Sequence, residues 1–421
     1  MSLVTSGQIK LSDIRTEFGG GSGEISFSDF YRGGSKVRAK ASNNNATNDA
    51  ASVPTSGALD MSDFHGTAAS FTKTFSAGAT NQDASDIFGD DYSVDYAKNI
   101  VINSGVELGA TSTGNEALHI DSGGSGTITV TNNGTITGRG GAAGSAGGDA
   151  FEAQVACTVI NNGTMRAGGG GGGAGGAGGT GGTGGQGSST SASYSPWYSR
   201  TISAGYGGGF GYVPGGSSSQ CRNASWPPAR NDSNNRLYGK NGQTTVFVVS
   251  SGNPRFYGPV FTATYVSTQA LDGDNNAVYS PAGSFQYRTY QTSTQYHPGG
   301  SGGAGGSGGS GGGGQGYQQS AGSGGSGSGG SSGSAGGTNA GAGGTGGTGG
   351  AGGNGGGYGA AGSNGSSGNT GSTGANGNYT NGQAGSSGSS GSSGGAAGNY
   401  IRGLGNVTFT NNGTVQGGTV S

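Results

Sequence analysis

The run GGSGGAGGSGGSGGGG, residues 299–314, is the feature that most limits what this chain can become. From 299 to 312 every third residue is Ser or Ala, and the two between are Gly. Glycine loses more conformational freedom on ordering than any other residue. Such a stretch is therefore either a solvated linker or a segment stitched down by many cooperative backbone bonds. A three-residue period suits the left-handed threefold helix, which rises about 3.1 Å per residue and has no internal hydrogen bonds. Without Cβ atoms, neighbouring helices of this kind can approach until their N–H and C=O groups bond across. Proline, which has no N–H, cannot do this. Collagen shares the period but needs proline or hydroxyproline, and this chain has nine Pro among 421 residues. The pattern predicts a bundle of polyglycine-II helices with Ser, Ala and Thr at its surface, the alternative being a plain Gly/Ser linker.

The tract comes in pieces. A first glycine-rich segment spans 138–187, and a second, expected to form the bundle proper, spans 299–400. Bulkier residues cut the second into rods: GYQQSAG at Tyr317, TNAG at Asn339, GYGAAGSNG at Tyr358 and GNYTNGQ at Tyr379. Matching strand-turn-strand units carrying Asn-Asn-Gly-Thr precede the first tract, lie within it and follow the last one, at Asn132–Thr135, Asn161–Thr164 and Asn411–Thr414. Sheet at both borders implies that the tract ends are fixed. Asn-Gly between β-branched runs reads as a hairpin, and similar units also stack as a β-solenoid or prism. The region 70–137 reads as a β-rich domain and 401–421 as closing strands. The fold class expected is mainly β with a polyglycine-II bundle and almost no α-helix.

Composition narrows the function classes. Eighteen Lys and Arg against twenty Asp and Glu leave a net charge of -2, and only 9% of residues are charged. Phosphate neutralisation needs clustered cations, so nucleic acid is not an expected partner, despite one RGG-like match at 139–141. The first residues lack an apolar signal region and no stretch of about 20 apolar residues could insert into a membrane. The expectation is folding in a cytoplasm, with Cys157 and Cys221 as buried free thiols. The acidic cluster Asp83, Asp86, Asp90, Asp91 and Asp95 does not match a calcium loop. His65, His119 and His297 lie far apart in sequence. These residues predict no metal, no cofactor and no catalytic group.

A nine-residue unit opens the chain three times: SGQIKLSDI from Ser6, SGEISFSDF from Ser22 and SGALDMSDF from Ser56. Alternating apolar residues suit a short strand, and the Ser-Asp pair suits a helix start with Ser12, Ser28 or Ser62 as N-cap. Units this small are docking or packing modules rather than active sites. Ile9, Leu11, Asp13, Ile25, Phe27, Asp29, Leu59, Met61 and Asp63 are the docking candidates of the module 1–66. This pattern resembles short N-terminal modules of marine phage tail and fibre proteins, which implies attachment to a virion.

An insert at 188–298 holds more than half of the chain's aromatic residues, set among Ser, Gly, Asn and Arg. Tyr-rich surfaces of that kind offer large rigid contact area at low entropic cost. The same aromatics also suit the core of a small β-domain. The contact candidates are Tyr194, Trp197, Tyr198, Tyr206, Phe210, Tyr212 and Trp226, with Tyr317, Tyr358 and Tyr379 at the rod turns. The interrupted period-three tract is similar to the polyglycine sandwich of tail-fibre-tip adhesins of T-even-like phages, from which it departs by carrying this insert. In that family rod-end turns touch the bacterial surface. The resemblance implies a non-enzymatic virion protein that partners other virion proteins and a host-surface protein or glycan, a homo-oligomer being left open. Two alternatives stand beside it. One is a capsid fibre or decoration protein. The other is a polysaccharide depolymerase, for which Asp232, Asp272 and Asp274 form no convincing carboxylate pair.

Overall fold

The computed structural model describes residues 2–19, 21–194, 198–202, 245–248, 259–263 and 283–421. It is mainly β. Three parallel sheets are built by a chain that visits each in turn, so the strands stack as rungs of a three-faced solenoid. The first rung is Ser70–Phe75, Ala79–Thr80 and Gln82–Asp83; the second is Ala97–Ile102, Glu107–Gly109 and Leu118–Ile120. The third is Ile128–Asn132, Thr135–Thr137 and Phe151–Ala153. Cys157–Asn161, Thr164–Arg166 and Asn399–Arg402 make the fourth, and Val407–Asn411, Thr414–Gln416 and Gly418–Val420 the fifth. Alternation along each strand turns one side inward: Ile100, Ile102, Ile128, Val130 and Val159 are buried along the first face. Leu108, Ile136 and Met165 are buried along the second, and Leu118, Ile120, Phe151 and Ile401 along the third. Each such side chain contributes about 1.5–3 kcal/mol on leaving water.

The Asn-Asn-Gly-Thr units are not hairpins. Ile128–Asn132 pairs with its counterparts in the rungs before and after, in parallel, and the unit turns the corner between two faces. The hairpin expectation rested on positive φ at the glycine, and Gly134, Gly163 and Gly413 do not adopt it. Stacking is what demands glycine there: a Cβ on Gly163 would sit on the carbonyl of Gly134, and one on Gly413 on that of Gly163. The asparagines serve as ladders. Asn132 Nδ2 donates to Asn161 Oδ1 (2.8 Å) and Asn161 Nδ2 to Asn411 Oδ1 (2.7 Å), with a second ladder through Asn133, Asn162 and Asn412. Asn132 and Asn161 are fully buried.

The segments 70–137 and 401–421, separate in the sequence, are thus parts of one solenoid. Both glycine tracts leave it between the second and third faces. A short excursion, 138–150, departs from the third rung, and 167–398 departs from the fourth. Among the described residues the longer excursion contains six glycine-rich rods, 168–186, 299–315, 322–337, 341–356, 360–377 and 382–398, here rods 1 to 6.

Rod 1 shows the bonding rule. Gly175 N–H donates to Gly309 of rod 2 (2.8 Å), and Gly176 N–H to Ser366 of rod 5 (2.9 Å). The Gly176 carbonyl accepts from Gly350 of rod 4 (2.8 Å), and the pattern repeats every three residues along the rod. Rods 2, 1 and 6 form one layer and rods 3, 4 and 5 the other, antiparallel within each layer. The third residues of rod 1, Ala174, Ala177, Thr180 and Thr183, are exposed.

The N-terminal copies pack around their own core, which includes Ile14, Phe30, Val37 and Phe64. Two expectations change. The residues before each Ser-Asp form no strand, because Leu11, Phe27 and Met61 already begin the helical turns. The helical caps are Lys10, Ser26 and Asp60 rather than Ser12, Ser28 and Ser62. Each motif Asp instead reaches back to the cap N–H: Asp13 to Lys10 (3.0 Å), Asp29 to Ser26 (3.0 Å) and Asp63 to Asp60 (2.8 Å).

Candidate functional site

The aromatic insert leaves the glycine body at the rod ends remote from the solenoid. Rod 1 runs into Gly187–Tyr194, which pairs antiparallel with Tyr290–His297 of the strand Gly283–His297, and Pro298 then leads into rod 2. The turns at 338–340 and 378–381 arrive at the same end. Short polar side chains clasp these elements. Ser188 N–H donates to Asn378 Oδ1 (2.7 Å), while Asn339 Nδ2 and Asn378 Nδ2 donate to the Ser188 carbonyl (3.1 and 2.9 Å). Asn339 holds φ +56°, the left-handed region that asparagine enters more readily than most residues. Tyr379 and Thr380 N–H both donate to the Gln186 carbonyl (3.1 Å each).

On this clasp stands an aromatic pair. Tyr296 and Tyr379 have ring centroids 4.6 Å apart at 52°, and each is more than half exposed, at 55% and 54%. The neighbouring Tyr379 hydroxyl holds the Tyr296 phenol above its ordinary pKa. Beside them His297 Nε2 and Ser189 Oγ lie 2.7 Å apart. The arrangement offers two fixed ring faces, their hydroxyls, and a serine hydroxyl beside an imidazole.

The tyrosines expected at rod turns divide between the two ends. Tyr379 is at the far end. Tyr317 and Tyr358 lie at the solenoid end: Tyr317 packs on Gly109, and its carbonyl accepts from Arg139 Nη1 (2.8 Å). Tyr358 lies under the Arg166 guanidinium, 3.9 Å from its ring centroid. Tyr194 and Tyr198 fall on strands paired with Gly283–His297. Trp197, Tyr206, Phe210, Tyr212 and Trp226 lie outside the described residues, as do Cys221 and the acids Asp232, Asp272 and Asp274. Cys157 is a buried free thiol, pushed up by that burial to about 12. The sequence reading missed Tyr296, His297, Asn339 and Asn378; a tyrosine two residues before the proline that opens rod 2 was the available signal.

The N-terminal candidates gather differently. Leu11, Phe27, Leu59 and Met61 line a shallow groove floored by Ile14, Phe30 and Phe64, so equivalent positions of all three copies meet there. Phe27 is 60% exposed. Ile9 and Ile25 are outside the groove lining, and Asp13, Asp29 and Asp63 are engaged with backbone.

Among the described residues no helix is long and apolar enough to cross a membrane. No curated protein matches the chain. The crystal structure of the gp37-gp38 adhesin tip complex of the bacteriophage S16 long tail fiber aligns at 14% identity, covering 86% of this chain and 88% of that one, with a TM-score of 0.30. Residues 70–258, beginning at the first solenoid strand, match the family model for the phage tail fibre adhesin Gp38. Over that span the chain is similar to the phage tail fibre adhesin Gp38 family, the same kind of protein that its glycine tracts resemble.

Proposed function

We propose that this chain is a non-enzymatic adhesin of a phage tail fibre, and that it recognises a host-surface protein or glycan with the far end of its rods. The observation that carries the reading is the exposed Tyr296–Tyr379 pair, held on a clasp where two rod turns and a strand pair meet. Two rings fixed by backbone lose little entropy on contact, and their faces suit sugar rings or apolar side chains. Tyr194, Trp197, Tyr198, Tyr206, Phe210, Tyr212 and Trp226 are proposed as further receptor contacts. Tyr317 and Tyr358 serve instead to seat the rods on the solenoid.

The rods are read as polyglycine-II helices. Their amides bond in successive directions with a three-residue period, between rods, and the glycines within them avoid the left-handed region. At that rise rod 1 is about 55 Å long, which sets the contact surface well away from the solenoid. The apolar groove of the triplicate module, with Phe27 exposed at its lip, docks the chain to another virion protein.

The test is adsorption of the labelled full chain to a panel of bacterial isolates, in parallel with the Tyr296→Ala/Tyr379→Ala double variant. Binding to some isolates, reduced at least tenfold in the variant, supports the reading. Equal binding by both proteins moves recognition away from the pair, and no binding to any isolate removes the adhesin assignment. Mass spectrometry of separated heads and tails distinguishes a tail protein from a capsid decoration.

A further inference from the structure

The geometry points to a divalent transition-metal site on the third face of the solenoid, formed by Asp83, His119 and Asp121. The sequence spreads these residues over two rungs, and parallel stacking places Asp83 directly opposite His119. Asp121 follows the strand Leu118–Ile120. Asp83 Oδ1 and Asp121 Oδ1 lie 3.1 and 2.9 Å from the same atom, His119 Nδ1. The three ligand atoms all fall within 4.8 Å of one another. One ring nitrogen carries at most one proton, so it cannot satisfy two carboxylates that converge on it.

Charge accounting separates this cluster from its neighbour. Glu116 and Glu152 also approach His119, but these two carboxylates share a cation, Arg402, whose Nη2 reaches both at 2.5 Å. Among the described residues Asp83 and Asp121 pair with no Lys or Arg. A dication between them and Nδ1 supplies the missing charge and uses the lone pair of the Nδ1-deprotonated tautomer. That tautomer puts the proton on Nε2, which is shielded from water, has no hydrogen-bond partner and faces Glu152 Oε2 at 3.7 Å. A ligand histidine ordinarily donates its other N–H to a carboxylate; Glu152 Oε2 is the carboxylate on that side, at a distance longer than a hydrogen bond.

The remaining second-sphere support is present too. Ser85 N–H donates to Asp121 Oδ2 (2.8 Å) and leaves Oδ1 aimed at the site. One nitrogen and two carboxylate oxygens suit zinc and its neighbours better than calcium, which takes oxygen alone. Asp83 is 42% exposed, so water completes the coordination. The ion would pin the first rung to the second on a face where the first-rung strand, Gln82–Asp83, has only two residues.

The experiment is calorimetric titration of the chelator-treated full chain with zinc chloride at pH 7, with thermal melts in parallel. One equivalent should bind and raise the melting temperature. His119→Ala and Asp121→Asn should each weaken binding at least tenfold. Asp83→Asn, at the exposed ligand, should weaken it while the apo melting temperature stays that of the unsubstituted chain, so lost binding there is not lost folding. His65→Ala, outside the cluster, should bind like the unsubstituted chain. Absence of binding at about 1 mM zinc, or binding equal in the Asp83, His119 and Asp121 variants, overturns the site.

Discussion

At the scale of the residue, glycine in this protein is chosen less for left-handed backbone than for the absence of a side chain. A Cβ on Gly175 would sit on the Gly350 carbonyl, and one on Gly176 on that of Ser389. One residue further, Ala177 is exposed and carries its methyl without conflict. Gly175→Ala should therefore destabilise the chain by about 1–3 kcal/mol, the usual range for overpacking. Ala177→Ser should stay within about 0.5 kcal/mol of the original. Urea unfolding midpoints of the two variants check the contrast. Equal midpoints would mean that the rods are not in contact at glycine.

At the scale of the element, serines at third positions of one rod meet third-position amides of the rod beside it. Ala174, Ala177 and Thr180 N–H of rod 1 donate to Ser392, Ser389 and Ser386 Oγ of rod 6 (2.7, 2.8 and 2.8 Å). Rod 2 is served in the same way by Ser334, Ser331 and Ser328. The hydroxyls of rods 3 and 6 thus satisfy third-position amides of rods 2 and 1 that take no backbone acceptor. Replacing Ser386, Ser389 and Ser392 together by Ala should speed exchange at the amides of 174, 177 and 180 several-fold. Amides bonded between rods, such as those of Gly175 and Gly176, should exchange as before. Mass spectrometry resolves the two sets. The corner units make the same point from the other side: Asn-Asn-Gly-Thr was legible as a turn, but its use as a solenoid corner depends on the rung above and below.

At the scale of the whole molecule, one buried cation links stability to pH. Lys98 is fully buried, and its Nζ donates to the carbonyls of Val94, Tyr96 and Ser125 (2.6, 2.9 and 2.6 Å). Those bonds favour the charged form, yet burial outweighs them and lowers the group from 10.5 to about 8. Between about pH 8 and 10 the unfolded chain then holds a proton that the folded chain has released. Stability should rise from about pH 8 by at most about 1.4 kcal/mol per pH unit and level off above about pH 9, where the Cys157 thiol ionises in the unfolded chain but stays protonated in the folded one. Above pH 10 the trend should reverse, because burial holds the Tyr92 and Tyr96 phenols protonated in the folded chain while they ionise in the unfolded one. Denaturation midpoints from pH 7 to 11 should show the maximum, and Lys98→Met should flatten the rise. A monotonic fall from pH 8 would show that the carbonyl cage keeps Lys98 charged.

Read alone, the sequence determined what depends on short-range periodicity. The three-residue glycine pattern dictates segments that can bond only to one another, and the recurring Asn-Gly unit dictates turns at equal positions of similar strands. Phe30 and Phe64, buried at the same place in two copies of the opening unit, were legible for the same reason. Only the tertiary structure decided which segments are neighbours. Stacking the rungs set His119 between Asp83 and Asp121, which lie 36 residues behind it and 2 ahead. Departure of both glycine tracts from one corner of the solenoid sent Tyr317 and Tyr358 to the near end and Tyr379 to the far end. Proximity of that kind is fixed by where a parallel strand re-enters its sheet, and local sequence carries no record of that distance.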